Sequence, residues 1–116
     1  MGDRRQILIR PFLYFYTHWD GEELGIALKY ALKSAEEVWD DEPYTFRIAL
    51  SELLRPYQDE MTGCGLSFTK QDDSQYKDYE VDFNMRRVGF VGERDKISFE
   101  DFCNMSDEEI LALNDL

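Results

Sequence analysis

Histidine, cysteine, proline and positive charge are all scarce in this chain, and each scarcity removes a class of function. One histidine, His18, and two cysteines, Cys64 and Cys103, stand among 116 residues. A zinc or iron centre needs several convergent imidazole or thiolate ligands, and these three residues lack metal-binding spacing. No metal and no cofactor are expected. No apolar run is long enough to cross a membrane. No hydrophobic signal region follows Met1-Gly2-Asp3-Arg4-Arg5-Gln6, so a cytoplasmic protein with reduced thiols is expected. Lys and Arg number 13 against 25 Asp and Glu, a net charge of −12. A nucleic-acid binder needs the opposite surplus to displace counterions. An anionic membrane is disfavoured for the same reason. What this balance allows is a solvated acidic surface, or docking on a partner protein with a basic surface.

Apolar and aromatic side chains are plentiful. Hydrophobic residues make up 43% and aromatics 15%, enough to build one core at this length without disulfide or metal support. Gln6-Ile7-Leu8-Ile9-Arg10 reads as a strand, and Pro11 as the turn that follows it. Phe12 to Thr17, apolar on both faces, reads as a central strand paired to it. Asp20-Gly21-Glu22-Glu23 fits a capping box. Leu24, Ala27, Leu28, Ala31, Leu32, Ala35, Val38 and Trp39 then repeat at helical spacing. Pro43 suits the first turn of a second helix, which carries Phe46, Ala49, Leu50, Leu53 and Leu54 and stops before Pro56. Short strands are expected at Leu66–Thr69, Tyr79–Phe83 and Val88–Val91. Ser98 and Ser106 each open a short helical turn. The expected fold is a single α+β domain: a mostly antiparallel sheet of about five strands, with two main helices on one face. Residues 1–91 would form its core and residues 92–116 an acidic helical tail.

The strand-to-helix corner at His18, Trp19 and Asp20 is the most distinctive local feature. Imidazole titrates near neutrality, so His18 with Asp20 suits general acid–base work, and a small enzyme using His18 is one reading. No nucleophile accompanies it. The structural alternative is that Asp20 caps the helix while His18 and Trp19 pack beneath it. Arg4, Arg5, Arg10, Arg47, Arg86 and Arg87 would suit an anionic ligand if they converged, and a small nucleotide signal is one such ligand. Trp39-Asp40-Asp41-Glu42 sets three carboxylates in a row. Glu80 and Asp82, with Asp78, share one face of a strand because side chains alternate. Such rows imitate nucleic-acid phosphates towards a basic groove, or are simply solvated. The binding candidates are therefore His18, Trp19, Asp20, Trp39, Asp40, Asp41, Arg47, Glu80 and Asp82, with no catalytic set assigned.

Several of these segments occur together in a recognisable order. They are Met1-Gly2-x-Arg4, Tyr16-Thr17-His18-Trp19-Asp20-Gly21, Trp39-Asp40-Asp41-x-x-Tyr44-x-x-Arg47-Ile48, Thr62-Gly63-x-Gly65-Leu66-Ser67 and Val81-Asp82. In these the chain resembles a group of small, uncharacterised proteins of phages, prophages and bacteria that carry a YTHWDG motif. The resemblance covers roughly residues 1–91. Cys64 stands where an aromatic residue is expected, and the chain is more acidic than the group. The resemblance brings no activity with it. It implies a mobile-element setting, in which small acidic proteins block host defence by binding, as anti-CRISPR and other anti-defence inhibitors do, some as nucleic-acid mimics. The expected location is then the host cytoplasm.

Overall fold

In the computed structural model, which describes residues 3–115, one six-stranded sheet carries four helices. Met1, Gly2 and Leu116, which belong to the expected N-terminal motif and C-terminal tail, lie outside the described residues. The elements run β1 (Arg5–Ile9), β2 (Leu13–Thr17), α1 (Leu24–Ser34), a 3₁₀ turn (Glu36–Val38), α2 (Glu42–Leu54), a 3₁₀ turn (Arg55–Tyr57), β3 (Cys64–Ser67), β4 (Tyr79–Asp82), β5 (Arg87–Phe90), β6 (Ile97–Ser98), α3 (Phe99–Cys103), α4 (Asp107–Ala112) and a final 3₁₀ turn (Leu113–Asp115). The strand order is β3-β2-β1-β4-β5-β6. Neighbours are antiparallel except β1 and β4, which run parallel. The α+β class and the mostly antiparallel sheet are as expected, with six strands in place of about five.

β1 lies at the centre, and all five of its residues are buried. Its register sets the two faces of the sheet. Ile7 pairs with Phe15 on one side and Tyr79 on the other, and Leu8 with Tyr14 and Glu80. The Ile7 face, with Ile9, Val81, Val88 and Phe90, meets the helices and forms the core. Leu24, Leu28, Ala31 and Leu32 of α1 pack there with Ala49 and Leu53 of α2. Each large apolar side chain buried in this way stabilises the fold by roughly 1.5–3 kcal/mol.

The expected tail packs into this same core. Phe99, Phe102 and Ile110 are each 1% exposed, and Phe99 stacks edge-on against Trp39 and Phe83. Its caps are those the sequence indicates. Ser98 Oγ accepts from the Asp101 amide, and Ser106 forms a reciprocal capping box with Glu109. The two-residue β6 is too short to show alternation, and it escapes sequence reading for that reason.

The first helix departs from expectation at both ends. It begins at Leu24 with Glu23 in the cap position and no side-chain cap bond. Asp20 is therefore not its cap. Asp3 instead holds the turn before the helix: its carbonyl oxygen accepts from the Gly21 amide at 2.7 Å and its carboxylate from the Glu22 amide at 3.0 Å. The helix also ends early, at Ser34, and a 3₁₀ turn carries the chain on to Trp39. The Trp39 indole donates to the Leu32 carbonyl at 2.9 Å, a second bond to an oxygen that also accepts from the Ala35 amide at 3.1 Å.

Candidate functional site

At the end of β2, Thr17 is fully buried and its hydroxyl lies 3.0 Å from the Tyr57 hydroxyl. The Tyr57 hydroxyl donates in turn to the Asp20 carboxylate. Burial, and then the neighbouring carboxylate, push the Tyr57 phenol well above its ordinary value. Asp20 thus ties the corner to the turn after α2. An aspartate followed three residues later by a glutamate reads as a capping box, and only the fold shows Asp20 bonded to Tyr57 and Asp3 on the Gly21 and Glu22 amides.

His18 is pinned on both sides. Its amide donates to the Gly63 carbonyl at 2.9 Å, and its Nδ1 accepts from Arg4 Nε at 3.2 Å. The Tyr16 hydroxyl sits 3.0 Å from the same Nδ1. An arginine Nε–H is always a donor, so Nδ1 is an acceptor and the ring proton of the neutral tautomer lies on Nε2. The Trp19 ring meets His18 edge-on at 4.3 Å but is 58% exposed. The expectation that Trp19 packs beneath the helix is corrected: it flanks an open groove of about 480 Å³ lined also by Tyr16, His18, Met61 and Cys64. Cys64 is the one thiol lining that groove, beside the Thr62 hydroxyl, and burial together with Glu60 raises it. A raised thiol yields less thiolate, the reverse of what a catalytic cysteine needs.

Trp39, Asp40 and Asp41 lie elsewhere. Trp39 is held by its indole hydrogen bond and by Phe99, whose ring centroid is 5.6 Å away, so it fastens α3 to the end of α1. Glu36, Glu37, Asp40, Asp41 and Glu42 are exposed beside it. Glu100 lines the same shallow groove as Trp39, and exposed Asp101 follows it in α3. Among the described residues none of these seven carboxylates forms an ion pair. Sequence reading saw the row at 40–42 but had no means of placing residues 100–101 beside it.

The third group sits on the opposite face of the sheet and is used internally. Glu80 is 9% exposed, with Arg10 and Lys96 each 3.5 Å from one of its oxygens. Asp82 accepts from the Met85 amide at 2.9 Å, and Asp78 from Gln6 Nε2 at 2.8 Å. The expected free row of carboxylates is thus corrected at Glu80, which is buried between two cations, while Asp82 and Asp78 are each held by one hydrogen bond and Asp78 Oδ1 is buried without a partner among the described residues. Arg47 is exposed on α2, without an ion pair among the described residues.

The arginines do not converge. Arg4 meets Asp73 at 3.3 Å as well as His18, and Arg10 meets Glu80. Arg5 is fully buried. Its guanidinium lies 4.4 Å from the Tyr79 ring centroid and donates to the Lys77 and Gly21 carbonyls and to Asn114 Oδ1. Desolvation lowers its pKa. Arg5 therefore joins the N-terminal strand to the C-terminal turn, a structural part that no sequence pattern marks. Among the described residues no three His, Cys, Asp or Glu side chains gather as a metal would require, and no helix is long and apolar enough to cross a membrane. Comparison of the chain with protein-family models, with curated proteins and with solved structures finds no match.

Proposed function

We propose that this protein acts by contact, presenting carboxylates to a basic surface of another protein. The observation that carries the reading is the acidic end formed by Glu36, Glu37, Asp40, Asp41, Glu42, Glu100 and Asp101, exposed and, among the described residues, without ion pairs. Six lysine and arginine side chains are engaged in ion pairs elsewhere, and Arg5 is buried. Arg86 lines the groove with Trp39 and Glu100, but among the described residues it forms no ion pair with any of the seven carboxylates, which outnumber it. Like charges held together repel, and a complementary partner relieves the repulsion while speeding encounter. With the mobile-element resemblance, the partner class this favours is a nucleic-acid-binding defence protein of the host, engaged as a nucleic-acid mimic would engage it. The test is capture of partners from a host lysate by the native chain and by a variant with Glu37→Gln, Asp40→Asn, Asp41→Asn and Glu100→Gln. Recovery by the native chain alone supports the reading. Recovery of no nucleic-acid-binding or defence protein sinks it.

A second reading draws on the groove at His18 and Trp19. An exposed indole beside an imidazole is a stacking surface for a nucleobase. Screening nucleotides by thermal shift separates the two readings, since a ligand bound only by the native state raises the melting temperature. A Trp19→Ala variant should lose any such rise.

A further inference from the structure

A second groove, distinct from the acidic end, lies between α1 and the close of α2. It has a volume of about 250 Å³ and an apolar floor that includes Leu24, Ala27, Leu53 and Pro56. Leu24 and Leu53 are buried core residues, whereas Ala27 and Pro56 are open to solvent. Asp20, Glu23 and Glu52 stand at its edge. Among the described residues one cation pairs with them: Arg55, 2.6 Å from Glu52. Three carboxylates against one guanidinium leave the mouth two charges negative. Tyr57 occupies one oxygen of Asp20, and Glu23 makes no side-chain hydrogen bond or ion pair among the described residues.

An apolar trough with an anionic mouth is complementary to a side chain that is apolar along its length and cationic at its tip. Lysine and arginine are built in that way, and both lay their methylene stems on apolar surface while the head stays at the rim. An aliphatic side chain would leave the carboxylates unanswered, and an acidic one would be repelled. A metal ion would need oxygens converging at about 2–2.6 Å, and the floor here is hydrocarbon. We propose that this groove anchors one long cationic side chain, lysine or arginine, of a partner protein. Its stem lies on Leu24, Ala27 and Leu53, and its head meets Glu23 and the free oxygen of Asp20. This adds to the acidic-surface reading a separate anchoring point, and the two are tested by different residues.

The experiment titrates the isotopically labelled full chain with Nα-acetyl-arginine amide at low salt and follows backbone amide shifts. Nα-acetyl-citrulline amide, the same shape without charge, is the control. The expected result is saturable shifts at Leu24, Ala27, Leu53 and Tyr57 with the arginine probe and far smaller ones with citrulline. Glu23→Gln, at an exposed position, should weaken binding about two- to fivefold, as removal of an exposed ion pair does. Ala27→Phe fills the trough with all charges kept and should abolish the shifts. Equal shifts with citrulline, shifts confined to Glu36–Glu42, or no effect of either variant would overturn the assignment. Lysate capture by the Glu37, Asp40, Asp41 and Glu100 variant leaves this groove intact, so failure of the acidic-surface reading and failure of this one are distinguishable.

Discussion

Replacing Gly25 by alanine probes how tightly the C-terminal segment is locked onto the rest of the fold. Gly25 lies in the first turn of α1 and is buried. A Cβ there would meet the Tyr79 hydroxyl well inside van der Waals contact, Ile110 Cγ2 at 2.7 Å and Tyr79 Cζ at 2.8 Å. In an exposed helix interior the change would stabilise by about 1 kcal/mol, because alanine is the better helix former. Overpacking a well-filled core costs about 1–3 kcal/mol. The upper end applies here, since the Tyr79 ring has no room to retreat. It stacks on Phe90 at 4.9 Å, meets Phe102 edge-on at 6.0 Å and carries the Arg5 guanidinium over its face. The net expectation is a loss of about 2 kcal/mol. At about 4 °C per kcal/mol for a chain of this size, the melting temperature falls by roughly 8 °C. Adding Tyr79→Phe removes the closest atom and should return about 1 kcal/mol, a positive coupling in a double-mutant cycle. Urea unfolding followed by tryptophan fluorescence reads both variants. A Gly25→Ala protein that melts above the native one would refute the packing of α1 against β4 and α4 described above.

Ser106→Ala removes one half of the capping box that opens α4 and should cost about 1 kcal/mol in urea unfolding, with Ser106→Asp close to native. Stability should also fall at alkaline pH. Burial raises the Cys103 thiol from 9.0 to about 11 and raises the Tyr79 phenol. A group whose pKa is higher in the folded state keeps its contribution below the unfolded value and loses it as pH climbs through the folded one. The urea midpoint, measured under reducing conditions, should therefore hold to about pH 9 and decline towards pH 11, and Cys103→Ala should flatten part of that decline. Nucleotides that raise the melting temperature of the native chain but not of Trp19→Ala would favour the His18–Trp19 groove over the acidic end.

Much of the fold was legible because its signals are local. Leu24, Leu28, Ala31 and Leu32 repeat along one helix face. Tyr79, Val81 and Phe83 alternate with polar neighbours. Ser98 and Ser106 stand where caps belong, and all of these positions are realised. What was not legible depends on partners distant in the chain. The parallel pairing of β1 with β4 joins residues some seventy positions apart. Asp20 has the right spacing for a cap, but Asp3 reaches the Gly21 and Glu22 amides first. In sequence Arg5 is one of six arginines suited to an anionic ligand, and only the fold shows the Tyr79 ring, the Gly21 carbonyl and Asn114 closed around it. The candidate site divides in the same way. The carboxylates at 40–42 were visible as a row, whereas Glu80 could be recognised as neutralised only once Arg10 and Lys96 were seen on either side.

Quantitative capture from a host lysate at physiological salt decides whether the acidic end is an interface, comparing the native chain with the Glu37→Gln, Asp40→Asn, Asp41→Asn, Glu100→Gln variant. Both should melt as single folded species. A protein with a basic, nucleic-acid-binding surface should be recovered by the native chain and released as salt is raised, and the variant should recover little of it. Equal recovery by the two proteins, or none by either, would contradict an interface at the acidic end.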